Sequence, residues 1–226
     1  MMTKGYAAAL CVLGFALPVY AGQVSGHVRV DGRGSRELAT TVVFAQPLDN
    51  PVPARPRVFS VTQRNKTFVP QVLAIPAGSI VDFPNGDLIF HNVFSLSRPR
   101  PFDLGLYRSG GSKSRLFTQP AVYRVFCNIH PEMAAIILVL PTPFIVQADD
   151  SGNYRLDLPA GRYRLAAWSE RSQPVSTELK VSGDRVSAPD LRLDESQFVE
   201  IPHKNKFGHD YPVHGYDPLR GERTAR

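Results

Sequence analysis

Sulfur is scarce in this chain: two cysteines and three methionines in 226 residues. Most of it stands at the start, as Met1, Met2 and Cys11, which leaves Cys127 and Met133 for the remainder. A disulfide framework is therefore excluded, and any core must come from apolar packing. Tryptophan occurs once, as Trp168. After residue 21 no apolar run is long enough to span a bilayer, and no long amphipathic helical pattern occurs. The formal net charge of +6 is spread out, with no dense Lys/Arg run and no aromatic-basic stripe, which argues against a nucleic-acid partner. There is also no phosphate-binding Gly loop, no Ser-His-Asp pattern and no paired-carboxylate motif.

What is present reads as an all-β protein. Twenty prolines and seventeen glycines are scattered rather than repeated, the mark of many turns between short strands. The first 21 residues read as an export signal. Lys4 supplies the positive end, AAALCVLGFALPVY the short apolar run, and Val19 and Ala21 the small residues before a cut at Gly22. An uncleaved anchor or a lipid-modified Cys11 are the alternatives. Cleavage leaves Cys127 as a lone thiol in an oxidising compartment, where it invites oxidation unless something occupies it.

Blocks follow in order: residues 22–50 with two alternating stretches, a Pro-dense connector, residues 57–141, residues 143–195, and a polar tail over 196–226. VFSVTQ, FVPQVLAIP, SIVDFP, LIFHNVF, AVYRVF and AAIILVL are expected as strands of the middle block. VSGHVRVDGRG with ATTVVFAQPL, and later DDSGNYRLDLPAGRYRLAAW, together resemble the transthyretin-like, carboxypeptidase-regulatory-like β-sandwich family. That resemblance implies one small sandwich in two parts, with the middle block inserted between them. The alternative is an N-terminal hairpin that adds strands to the middle block. The tail is expected to be extended unless it packs back on the domains.

The chemistry concentrates in CNIHPEM. Cys127, His130 and Met133 lie three apart in a turn between AVYRVF and AAIILVL, where three side chains can face one point. Thiolate and imidazole suit copper, and a long axial thioether marks a blue-copper centre. Such a centre needs a second imidazole. Of the other histidines (27, 91, 203, 209 and 214) only His91 falls in the middle block, in FPNGDLIFHNVFSLS. Structural zinc is the metal alternative, although a thioether is a poor zinc ligand.

With that set complete, the middle block resembles a cupredoxin, the family of plastocyanin and amicyanin. The compact C-x-x-H-x-x-M loop is most similar to amicyanin and its short-loop relatives, and the wider layout to exported methylamine-utilisation proteins. The resemblance implies a Greek-key sandwich with one type 1 copper. His91, Cys127 and His130 would be its ligands and Met133 the weak axial one. Asn92 would tie the two ligand loops together near the sulfur. In the family the downstream imidazole edge is the electron port, and in short-loop relatives it can leave the reduced metal and take a proton. The implied role is an electron carrier between protein redox partners and not an enzyme. Copper storage or delivery, fed by the tail histidines, and a metal-free scaffold are the competing readings.

Overall fold

In the computed structural model, residues 22–32, 40–199 and 202–211 are described. The segment read as an export signal, with Cys11, as well as residues 33–39 and His214, lies outside them. The described residues contain no α-helix. Strands run β1 (Gly22–Asp31), β2 (Val42–Pro47), β3 (Val58–Ser60), β4 (Thr62–Arg64), β5 (Thr67–Val69) and β6 (Val72–Pro76). Next come β7 (Ser79–Pro84), β8 (His91–Ser95), β9 (Phe102–Tyr107), β10 (Ser112–Phe117), β11 (Ala121–Phe126) and β12 (Ala134–Leu140). The chain continues with β13 (Phe144–Gln147), β14 (Asn153–Leu158), β15 (Gly161–Trp168), β16 (Val175–Val181), β17 (Arg185–Ser187) and β18 (Leu191–Asp194).

The first and last of the described strands share sheets. β1 pairs with β14, β17 and β18, and β2 lies between β13 and β15, with β16 beyond. β1 and β2 are thus in different sheets, not the two arms of one hairpin. Alternation explains this. β14 buries every second residue, and its Tyr154, Leu156 and Leu158 meet Val24 and Val28 of β1 and Leu165 of β15 in one core. Residues 58–140 build their own sheets, β10-β7-β3 and β6-β12-β11-β8-β9, with the small β4-β5 ribbon. Their core gathers Phe68, Phe83, Val93, Tyr123, Val125 and Ile137 with Cys127 and Met133. β9 and β10 did not stand out in the sequence, because FDLGLY and SKSRLF carry too few β-branched residues to announce strands.

β12 shows why one run can be apolar throughout. Its Ala135, Ile137 and Val139 face the core that holds Cys127. Its Ile136, Leu138 and Leu140 face a third cluster with Val42, Val72 and Trp168. A strand buried on both sides loses alternation and reads AAIILVL. Trp168 therefore packs between the two sets of sheets. Trp168→Ala is expected to cost about 3–5 kcal/mol, measured by denaturant unfolding.

Candidate metal centre

Two segments converge. β8 opens at His91, and residues 127–133 join β11 to β12. The inward alternation of Tyr123 and Val125 continues to Cys127, so the thiol lands on the core side without a special turn. Tyr123 steadies the approach by donating its hydroxyl to Gln119 O at 3.2 Å. The loop closes with Cys127 N–H on Met133 O at 3.2 Å and Met133 N–H on His130 O at 3.1 Å. His91, Cys127 and Met133 are fully buried. His130 is half-buried.

The Nδ1 atoms of His91 and His130 stand 3.2 Å apart. Cys127 Sγ is 3.9 Å from the first and 3.6 Å from the second. A point equidistant from all three lies about 2.1 Å from each, against ~2.0–2.3 Å for imidazole and thiolate bonds to a first-row ion. Among the described residues, these three form the one group of His, Cys and carboxylate side chains close enough to hold a metal ion. Met133 is buried in the same apolar cluster as Cys127.

The protonation pattern suits a cation. His91 Nε2–H donates to Asp87 Oδ2 at 2.8 Å, and an ionised carboxylate only accepts, so the Nδ1 lone pair points at the centre. Asp87 in turn accepts the N–H groups of Asn65 at 2.6 Å and Lys66 at 2.9 Å. Both of those residues have φ of 54°, the left-handed pair of a two-residue hairpin turn between β4 and β5. Burial opposes ionisation of Asp87, but the bonds from Lys66, His91 and Asn65 outweigh it and hold the carboxyl below its usual range. Burial, and then nearby His91, keep the His130 imidazole below its ordinary pKa, which favours the neutral ligand form. Burial also pushes the Cys127 thiol up, against the N–H groups of Asn92, Ile129 and His130. A metal must therefore displace a thiol proton to bind. Two imidazole nitrogens and a sulfur in a triangle, with a buried thioether in the same cluster, fit copper.

Asp87 went unread in the sequence; its one signal was an acid four residues before His91. Asn92 differs in detail from the expectation. Its backbone N–H faces the Cys127 sulfur. Its side-chain Nδ2 goes instead to Asp103 Oδ1 at 2.7 Å, and its Oδ1 is buried without a hydrogen bond. LIFHNVF also divides: the strand begins at His91, and Leu88, Ile89 and Phe90 precede it on the surface. Of the other histidines, His27 contacts Ser151 O at 2.8 Å, far along the chain in the flanking sheets. His203 stacks on Phe126 beside the loop, outside the donor triangle. His209 is exposed.

No family model matches the chain, and no curated protein matches it. Solved structures do. A Cu-containing nitrite reductase from Thermus scotoductus SA-01 is 31% identical over 42% of this chain and 25% of its own, with a TM-score of 0.36. The match thus spans a quarter of that enzyme's length. A purple cupredoxin from Nitrosopumilus maritimus is 21% identical over 36% of this chain and 99% of its own, with a TM-score of 0.34. Amicyanin from Paracoccus versutus is 24% identical over 39% of this chain and 85% of its own, with a TM-score of 0.35.

Proposed function

We propose that this chain is an exported type 1 copper protein that carries single electrons between protein redox partners. The observation that carries the reading is the triangle of His91 Nδ1, His130 Nδ1 and Cys127 Sγ, whose centre suits a first-row ion. His91, Cys127 and His130 would hold one copper, and Met133 would be the weak axial ligand. Bound there, copper would supply a one-electron change between its two oxidation states. With Met133 as a fourth donor no position would stay open for a substrate, so transfer of electrons is a better use of the site than binding one.

Partner docking is assigned to the surface beside His91. Leu88, Ile89 and Phe90 are 95%, 40% and 57% exposed. Three consecutive exposed apolar side chains next to a buried redox centre are costly unless a partner covers them. Residues 22–50 and 143–195 are read as one transthyretin-like sandwich with the cupredoxin domain, residues 57–141, inserted. The shared sheets of β1 with β14 and β2 with β15 support that reading. Among the described residues no helix is long and apolar enough to cross a membrane.

The test is a visible absorption spectrum of the purified chain with Cu(II), then with ascorbate. An intense blue band that bleaches on reduction and is absent in Cys127→Ser is expected. A colourless copper complex would turn the reading to copper storage or delivery, and the absence of binding would leave a metal-free scaffold.

A further inference from the structure

The C-terminal segment returns to the ligand loop. His203 Nε2–H donates to Pro131 O at 2.7 Å, and its ring stacks on Phe126 with centroids 4.0 Å apart. The Lys206 N–H donates to Asn128 Oδ1 at 3.0 Å. Tyr211 OH donates to Cys127 O at 2.8 Å, and its ring meets His203 edge-on at 5.2 Å. The segment has its own turn: Asn205 Oδ1 accepts the N–H groups of Phe207 at 2.9 Å and His209 at 3.1 Å. Gly208 at φ +80° lets the chain reverse there.

The loop needs these contacts. Pro131 has no N–H to give, and the loop's own backbone bonds leave the carbonyls of Cys127 and Pro131 to find donors elsewhere. The segment supplies both. It is also linked to the second ligand segment through β9, because Lys206 Nζ lies 2.6 Å from Asp103 Oδ2 while Asp103 Oδ1 accepts Asn92 Nδ2. The N–H of Asn92 faces the Cys127 sulfur. One ten-residue stretch thus bonds directly to the loop of residues 127–133 and reaches Asn92 through Asp103.

We infer that residues 202–211 form a strap in which His203, Lys206 and Tyr211 are positioning residues, holding the loop of residues 127–133 in its ligand-bearing shape whether or not a metal is bound. His203 is then committed as a hydrogen-bond donor beside the site and not as a metal ligand. The strap itself follows from the contacts alone; its effect on a copper centre rests on the proposed function.

The test uses the full chain, first without metal. Iodoacetamide labels Cys127, read in its own peptide apart from Cys11, and hydrogen exchange follows the amides of residues 127–133. The thiol is fully buried, so labelling reports loop opening. Tyr211→Phe keeps the ring and loses one hydrogen bond, and should raise the labelling rate about threefold to tenfold. The triple variant His203→Ala, Lys206→Met, Tyr211→Phe should raise it further, with β1 and β14 amides unchanged. His203→Gln, which retains a donor, should recover part of the protection lost in His203→Ala. Labelling and exchange within twofold of the parent in Tyr211→Phe and in the triple variant would overturn the strap, and should the triple variant not fold, Tyr211→Phe alone decides. The same variants are then loaded with copper, where faster removal by chelator and a shifted absorption band are expected. Parent copper binding with unchanged labelling removes the strap and leaves the copper reading standing. Strap protection without any copper binding keeps the strap and removes the copper reading.

Discussion

The two imidazoles of the centre are held in opposite ways. His91 is in a strand, fully buried, and its far nitrogen is tied to Asp87, which a hairpin turn fixes with two N–H groups. His130 stands half-exposed on a seven-residue loop whose outside is held by residues more than seventy positions later. One donor is set by a hairpin turn some twenty residues before Asp87 in the same middle block. The other depends on a distant segment folding back. For the electron carrier proposed above, the first arrangement would give rigidity and the second access to solvent.

The sharpest way to break this comparison is to delete each ring in turn. His91→Ala and His130→Ala should each weaken copper binding by more than about a hundredfold, since even an outer partner of a ligand is worth ~10–100-fold. Added imidazole should restore the visible band in His130→Ala, whose hole opens to solvent, and not in His91→Ala, whose hole is buried. Equal rescue of both would erase the difference in access. Asp87→Asn comes next. It keeps the volume but removes the charge that His91 Nε2–H meets, and a fall in copper affinity of roughly 10–100-fold is expected in competition titrations. A fall below threefold would mean that the hairpin turn, and not the carboxylate, sets the ring.

Acid separates the two sides by a smaller margin. The His130 pKa is lowered in the folded chain by burial. Below the ordinary imidazole range of about 6.5 the unfolded chain therefore binds the proton first, and metal-free stability should begin to fall there. The Asp87 carboxyl is also held below its ordinary value, so its contribution is complete above about 3.9 and is lost only as pH falls through the lower folded value. Denaturant midpoints between pH 7 and 4 should thus fall for the parent and stay flatter in His130→Gln, while Asp87→Asn should alter the profile only at lower pH.

Much of the donor triangle was legible in the sequence because two of its members are local. Cys127 and His130 are constrained by the reach of one turn, and His91 was the one further histidine of the middle block. Asp87 was harder. Its bond to His91 depends on a hairpin at Asn65 and Lys66, whose amides meet a carboxylate some twenty residues on. Nothing in RNK announces that pairing. Nor did GHVRV and TVVFAQ reveal that they would part into separate sheets. Strand alternation specifies which face is buried but not which neighbour buries it.

The sequence by itself determined an all-β chain and a sulfur-nitrogen donor set of a kind that suits copper, because side-chain chemistry and spacing within a turn are properties of short segments. Only the tertiary structure decided how that set is held. Contacts between Tyr211 and Cys127, Lys206 and Asp103, or Asp87 and the hairpin amides join residues far apart in the chain. Such pairs form only once the chain has folded back on itself, and hydrogen-bonding groups left over by one segment meet those left over by another.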